Sequence, residues 1–570
     1  MLLATLIQAS NPAAESMNGP IALVVLLALA LVLPISFGLI WLYRRAVLKS
    51  MRASASSLTN EPDPFITSKS PHNLAQSSPE LSFVDAASRI PTGAGAADLY
   101  AEVLRAPWRT AAVYIVAGAC YALILSVTAL VSNGLEIVPL RLLTLFWIHF
   151  WPIVLTANLV AAATRRTKLA TVVIYFLVFA AIIAVSLANS PEGSLGPLIL
   201  AWVIYDLPAT LLLLTFLNRR VRAVGPLVLI FMIVAVLGSQ LALSILAVSD
   251  EIIRALVSVV SIFGLGAYSV ILGLSLFGFF IVWPVGWLIL LLIRRMYERK
   301  KVSDQSITLD AIWLMFGFAN SLLLASNGAI WILSGLLAFL GFKVVAWAGL
   351  RLLSSKTKRT QKSPSLLLLR VFALGKRSER LFGALATHWR HVGSIELIAG
   401  PDLATTTLEP HEFLDFLTGK LGRRFIDGPQ ALDRRRSEMD TKPDQDGRFR
   451  VNDFFCHEDT WKMVLSRLVK ESEVVVMDLR GFTSQNKGCV YEVNELINVA
   501  PLGRVVFVID ETTDEHFLLD TVRQSWARMK PTSPNRLSTS GQLALFRSTG
   551  SRSGDLPHLL RALSVAANPA

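Results

Sequence analysis

The chain has 570 residues, of which 53% are hydrophobic and only 17% charged, and its net charge is +13. Such a composition excludes an ordinary soluble protein. The basic excess sits in clusters beside apolar runs, which is a signature of membrane topology and argues against a nucleic-acid partner.

Long charge-free runs fill residues 21–350, whereas the last 200 or so have a soluble composition. Cys120, Cys456 and Cys489 are too widely spaced for a disulfide framework or a metal set, so no metal site is expected. No Lys or Arg precedes the first apolar stretch, so no secretory signal peptide is expected.

Residues 21–43 carry no charge and are long enough to cross about 30 Å of hydrocarbon. Arg44, Arg45, Lys49 and Arg52 follow, and Glu15 is the only charge before them. The positive-inside rule therefore places the N-terminus outside and the N-terminal span within 1–49. Residues 50–105 are rich in Ser, Ala, Pro and Thr and read as a disordered cytoplasmic linker. A polytopic helical domain is expected over 106–352. Spans 111–131 and 142–163 lead out and back to Arg165-Arg166-Thr167-Lys168, and 169–188 and 198–217 do the same to Arg219-Arg220-Val221-Arg222. Residues 224–248 go out to Asp250-Glu251. The basic run 294–301 must return inside, so 269–293 crosses and 252–265 lies along the outer interface. A hairpin of 308–325 and 329–350 closes the set at nine spans, N-terminus out and C-terminus in, with a bacterial inner membrane as the expected location. No internal repeat of the kind found in inverted-repeat transporters is evident.

From residue 362 to 570 the pattern becomes cytoplasmic α/β. Strands are expected at 366–373, 394–399, 474–477, 505–509 and 543–546, alternating with helices at about 377–389, 410–421, 460–470, 488–498, 516–530 and 556–566. Residues 427–447, charged and bearing Pro and Gly, read as an exposed insertion. Alternating strands and helices indicate a doubly wound parallel sheet, whose ligands sit beyond the carboxyl ends of the strands. Those ends carry Gly375-Lys376-Arg377, Gly400-Pro401-Asp402, Asp478-Leu479-Arg480 and Asp510-Glu511. Glycine permits close backbone approach, and Asp or Arg can fix hydroxyls or phosphates, so Gly375, Asp402, Asp478 and Arg480 are candidate ligand-binding residues. Glu492 stands about one turn into the helix after the central strand. There it could stabilise an oxocarbenium-like centre as a glycosidic bond breaks, or simply complement the helix macrodipole.

Three features carry a resemblance to a family. Val371-Phe372-Ala373 with its following Leu-rich helix, the segment Ile395 to Asp402, and Gly488-Cys489-Val490-Tyr491-Glu492 together resemble the Toll/interleukin-receptor (TIR) superfamily and its nucleoside-processing relatives over roughly 366–566. The last is similar to the Cys-x-x-Glu segment that holds the catalytic glutamate of enzymatic TIR domains. The resemblance implies that Glu492 cleaves the nicotinamide–ribose bond of NAD, with Asp402 or Arg480 lining the site. NAD would be a substrate, and no cofactor is called for. Many TIR domains are instead non-catalytic scaffolds that associate with their own kind.

At membrane depth, His149 and Asp206 stand about eight residues from the outer ends of their spans, each close to a proline (Pro152, Pro208). Intramembrane ionisable groups mark pathways, or pair to hold helices together. Lys343, near the inner end of its span, is expected to snorkel. The expected protein therefore embeds in a lipid bilayer and tethers a TIR-like signalling or effector domain. The alternatives are a transporter or channel with a regulatory domain, or a non-catalytic membrane scaffold.

Overall fold

A computed structural model describes residues 12–52, 80–89, 91, 93–161, 163–189, 195–216, 219–246, 250–262, 264, 267–356, 363–371, 376–399, 408–537, 540–550 and 552–568. The chain forms two compact units. One is helical (Met1–Leu42, Arg109–Lys356 and Leu408–Leu414) and the other α/β (Tyr43–Trp108, Thr357–Thr407 and Asp415–Ala570).

Each expected span overlaps an α-helix among the described residues, that of 142–163 two of them. Among the described residues, six helices are long and apolar enough to cross a membrane, and a bent pair, Pro139–His149 with Trp151–Val160, raises this to seven. The bend of 41° falls where Pro152 enters the second helix, because proline has no N–H to continue the first ladder. Leu177, Val344 and Leu352 are each about two thirds exposed. Apolar surface of that kind suits lipid rather than water, and this is a membrane protein. Residues 252–265, expected along an interface, contain most of a helix, Asp250–Ser261, with Arg254, Ser258 and Ser261 forming one polar stripe.

Inside the helical unit, small residues let helices approach. A Cβ on Gly335 would collide with the carbonyl of Gly317 and the hydroxyl of Ser321, which accepts the Gly335 N–H at 2.7 Å. Trp313, Tyr121 and Phe342 pack beside this contact, with ring centroids 4.7 and 4.8 Å from Trp313.

Among the described residues, the α/β unit forms one parallel sheet of eight strands: β1 (Glu80–Asp85), β2 (Leu366–Arg370), β3 (Ile395–Ala399), β4 (Phe425–Ile426), β5 (Val451–Cys456), β6 (Val474–Asp478), β7 (Val505–Ile509) and β8 (Ser540–Arg547). Their order is β1-β8-β7-β6-β2-β3-β5-β4. Both faces are covered. Val475 and Met477 join one core, Val474 and Val476 the other, and β7 alternates in the same way. Burial on both faces is why these strands read as continuous apolar runs.

The five strands expected from sequence are all present, and three more were missed. β1 lies in the segment expected to be a disordered linker and pairs along its length with β8, Glu80 opposite Ser540. A helix, Ala94–Ser132, already begins inside that segment. An edge strand with alternating exposure, whose partner lies some 460 residues away, leaves little local signal. The charged stretch 427–447 holds a helix, Pro429–Ser437, and its end is buried rather than exposed. Asp444 and Asp446 are 5% and 3% exposed, and Arg450 grips both oxygens of Asp444 at 2.8–3.1 Å. Opposite charges that satisfy one another can be taken out of water. β5 was hidden because Asn452 and Asp453 interrupt its apolar pattern.

Gly335→Ala should lower the thermal midpoint of the purified protein through overpacking, a cost of about 1–3 kcal/mol. Gly273→Ala, with open space around its Cβ, should leave the midpoint unchanged. Phe83 packs against the sheet core, so Phe83→Asp should detach β1. Limited proteolysis should then cut within 80–93 in the variant far faster than in the parent.

Candidate functional site

The sheet reverses its winding between β2 and β6. From β2 the chain builds outward through β3 in one direction, then returns to β6 and continues through β7 and β8 in the other. A doubly wound sheet opens its ligand crevice at such a switch point, beyond the carboxyl ends of the two strands. Those ends are Arg370 and Asp478, which are opposite one another in the register. Both are buried, at 4% and 1% exposure.

Asp478 is held by its own loop. Arg480 Nε and Nη2 donate to its two carboxylate oxygens at 2.7 and 2.8 Å. Arg480 Nη2 also donates to the Arg377 carbonyl at 3.2 Å, and Arg377 Nη1 lies 3.6 Å from Asp510 Oδ2 beyond β7. Gly481, at φ 69°, turns the chain back after Arg480, a conformation that favours glycine. Phe482 anchors the turn in the core, and the Thr483 N–H is accepted by Asn486 at 2.8 Å just before the helix Lys487–Val499.

Glu492 sits on that helix and is 3% exposed. Its Oε2 has no hydrogen-bond partner. Burial pushes its carboxyl up to about 8, against the opposing pull of the Arg370 guanidinium. At neutral pH it is therefore a neutral acid. Cys489, one turn earlier, places Sγ 3.9 Å from the Arg370 carbonyl. A second buried acid, Glu396 in β3, is pushed up to about 7 by burial but accepts from the Ser472 hydroxyl at 3.4 Å. Missing hydrogen bonds distinguish Glu492 more than the raised value does.

Of the candidate ligand-binding residues, Asp478 and Arg480 are bonded to one another at the switch point, while Gly375 and Asp402 lie outside the described residues. Arg370 was missed. Its signal was a lone arginine closing the run Leu366 to Leu369, since a charge in line with a buried strand is tolerated only where the strand meets a polar crevice. No metal-binding group of three or more His, Cys, Asp or Glu occurs among the described residues.

In the helical unit, His149 and Asp206 are both buried, at 3% and 1% exposure. His149 Nδ1 lies 3.0 Å from Ser126 Oγ. Lys343, expected to snorkel, instead donates to both oxygens of Asp310 at 2.8 and 3.0 Å. The sequence held a clue: Asp310 stands 17 residues before Asn327 in the hairpin turn and Lys343 stands 16 after it (327 − 310; 343 − 327), so folding the hairpin brings them level.

No family model, curated protein or solved structure matches this chain.

Glu492 binds its proton more tightly in the folded chain than in the unfolded one, where an ordinary glutamate loses it near pH 4.5. Its contribution is fully present below about pH 4.5 and is lost progressively as pH rises through about 8. Across that window the slope is at most on the order of 1.4 kcal/mol per pH unit. Denaturant titrations of the α/β transition at pH 5, 7 and 9 should show this decline. Glu492→Gln, which cannot ionise, should lessen the decline, leaving the part that Glu396 contributes, and be the more stable form at pH 9.

Proposed function

We propose that this membrane protein tethers a cytoplasmic TIR-like effector domain whose switch-point crevice takes a nucleotide and uses Glu492 to cleave its N-glycosidic bond. NAD is the substrate to try first. The observation that carries the reading is Glu492 itself: a buried, neutral acid with an unpartnered oxygen, within electrostatic reach of a strand-end arginine. Ligands of doubly wound sheets bind at this place in the fold, and perturbed acids gather at working sites.

The chemistry follows from charge. As the bond between ribose and a nicotinamide ring lengthens, positive charge develops on the sugar. That charge expels the Glu492 proton to water, to be regained once the adding water gives up a proton of its own, and the carboxylate meanwhile stabilises the oxocarbenium-like centre. Nicotinamide leaves with the bonding electron pair, water adds to the ribose carbon, and one proton is released. Arg480 would hold the phosphates by a bidentate grip once it exchanges its contact with Asp478 for one with the ligand. The basic clusters beside the apolar helices support nine crossings with this domain on the cytoplasmic side of a bacterial inner membrane. Homotypic association of the domains would concentrate and activate them.

A second reading is favoured by a separate observation. The Lys343–Asp310 ion pair and the buried Asp206 place ionisable groups at membrane depth, as in a transporter or channel with a regulatory domain.

The test uses the full-length protein reconstituted at low and high density in lipid nanodiscs, incubated with NAD and assayed for released nicotinamide. Release is expected to depend on density and to fall at least about 100-fold in Glu492→Gln, the scale of a lost acid–base group. Arg480→Ala should raise KM more than it lowers kcat. Absence of release at every density, or release unchanged in Glu492→Gln, overturns the enzymatic reading and leaves the scaffold or the regulated transporter.

A further inference from the structure

Asp206 lies within the helix Leu195–Phe216 of the helical unit, where the run from Leu198 to Thr215 contains no other charged residue. It is 1% exposed, and its Oδ2 has no hydrogen-bond partner. The nearby tyrosine hydroxyls, Thr210 and Trp151 are already engaged, while Trp202 Nε1, one turn earlier on the same helix, has no hydrogen-bond partner. The Tyr175 hydroxyl donates to the Trp147 carbonyl at 2.9 Å, and the Tyr121 hydroxyl to the Trp313 carbonyl at 3.3 Å. Trp151 Nε1 donates to Thr210 Oγ1 at 2.7 Å, and that hydroxyl donates to the backbone carbonyl of Asp206 at 2.6 Å.

Aromatic rings form the rest of the neighbourhood. Trp151 packs on Tyr175 and Trp202, with centroids 4.9 and 5.5 Å away. Tyr121 and Tyr175 are titratable groups within electrostatic reach of the Asp206 carboxyl. On the other helices packed against it, His149 is turned to Ser126 and Asp310 is held by Lys343. No ion pair to Asp206 exists among the described residues. An ionised carboxylate in such surroundings costs several kcal/mol or more, a cost that is removed by binding a proton.

We propose that Asp206 is a proton-binding site of the membrane part. It is protonated in the state described, and it releases the proton when water or a cation reaches the carboxyl. The helical unit is thereby sensitive to protons, whatever the α/β unit does. Asp206 differs in this from the Lys343–Asp310 pair, where each charge already has its counter-charge.

Infrared difference spectroscopy on the full-length protein in lipid tests this directly. At neutral pH the wild type minus Asp206→Asn spectrum should contain one protonated-carboxyl stretch, and transfer to D2O should shift it as the proton exchanges. Glu492 and Glu396 are common to both proteins and cancel. A spectrum with a carboxylate band instead means that Asp206 is ionised against a cation, which overturns the proposal. A protonated band that never shifts in D2O means a sealed structural acid, which overturns it equally. Asp206→Glu should restore an exchangeable band, so loss of the signal through misfolding of the Asn variant is recognisable. Neither outcome bears on NAD cleavage.

Discussion

Taking a charge out of water is the constraint on which both units depend. Each buried ion must meet a counter-ion with good geometry or give up its charge. Most of those described here take the first course. Arg450 embraces Asp444, Arg480 embraces Asp478, and Lys343 reaches across a helical hairpin to Asp310. These pairs fix how their segments fold. The first folds a charged stretch onto the sheet, the second sets the loop after β6, and the third aligns two apolar helices that would otherwise slide freely. Against this background, Glu492 and Asp206 each keep one carboxyl oxygen without a hydrogen bond.

The sheet explains why one of these acids stands at a crevice. β2 serves both halves of the fold, pairing with β3 on one side and β6 on the other, and the chain reverses its winding there. Reversal sends the connection after β2 and the helix after β6 to opposite faces, so the space beyond the two strand ends is not closed by a crossover. Arg370 and Asp478 end in register at that gap. The helix carrying Glu492 starts only after an eight-residue loop, 479–486, closed by Gly481, Phe482 and Asn486, so the acid is carried on a rigid element rather than a free loop. The outer strands β4, β5 and β1 extend the sheet without touching this junction.

How much of this was legible depends on the range of the interaction concerned. Strands buried on both faces, such as Val474–Asp478 and Val505–Ile509, announce themselves as apolar runs, and the helices between them follow the 3.6-residue period. Glu492, Asp478 and Arg480 could be chosen because strand ends and the next helix are where parallel sheets work. What the sequence concealed was non-local or compensated. β1 is held by a strand some 460 residues away, and Asp444 and Arg450 look solvated until each is seen to neutralise the other. Lys343 reads as a snorkelling residue until its hairpin is closed. Arg370 was overlooked because the eye follows the leucines before it and not the strand end that it marks.

Glu492 and Asp206 differ in how readily they change state. Glu492 already feels Arg370, whose charge opposes burial and leaves the carboxyl at about 8, close enough to neutral pH for one more positive charge to ionise it. A cationic ring entering beside it, as the proposed substrate would bring, would suffice with no movement of the backbone. Asp206 has no such cation among its described neighbours, and the nearby hydroxyls are committed to backbone carbonyls. Its ionisation therefore requires the helices around it to part and admit water, or a hydroxyl to abandon its carbonyl. On the two proposals, one acid answers to a ligand and the other to a rearrangement, and the presence or absence of a single guanidinium separates the two behaviours.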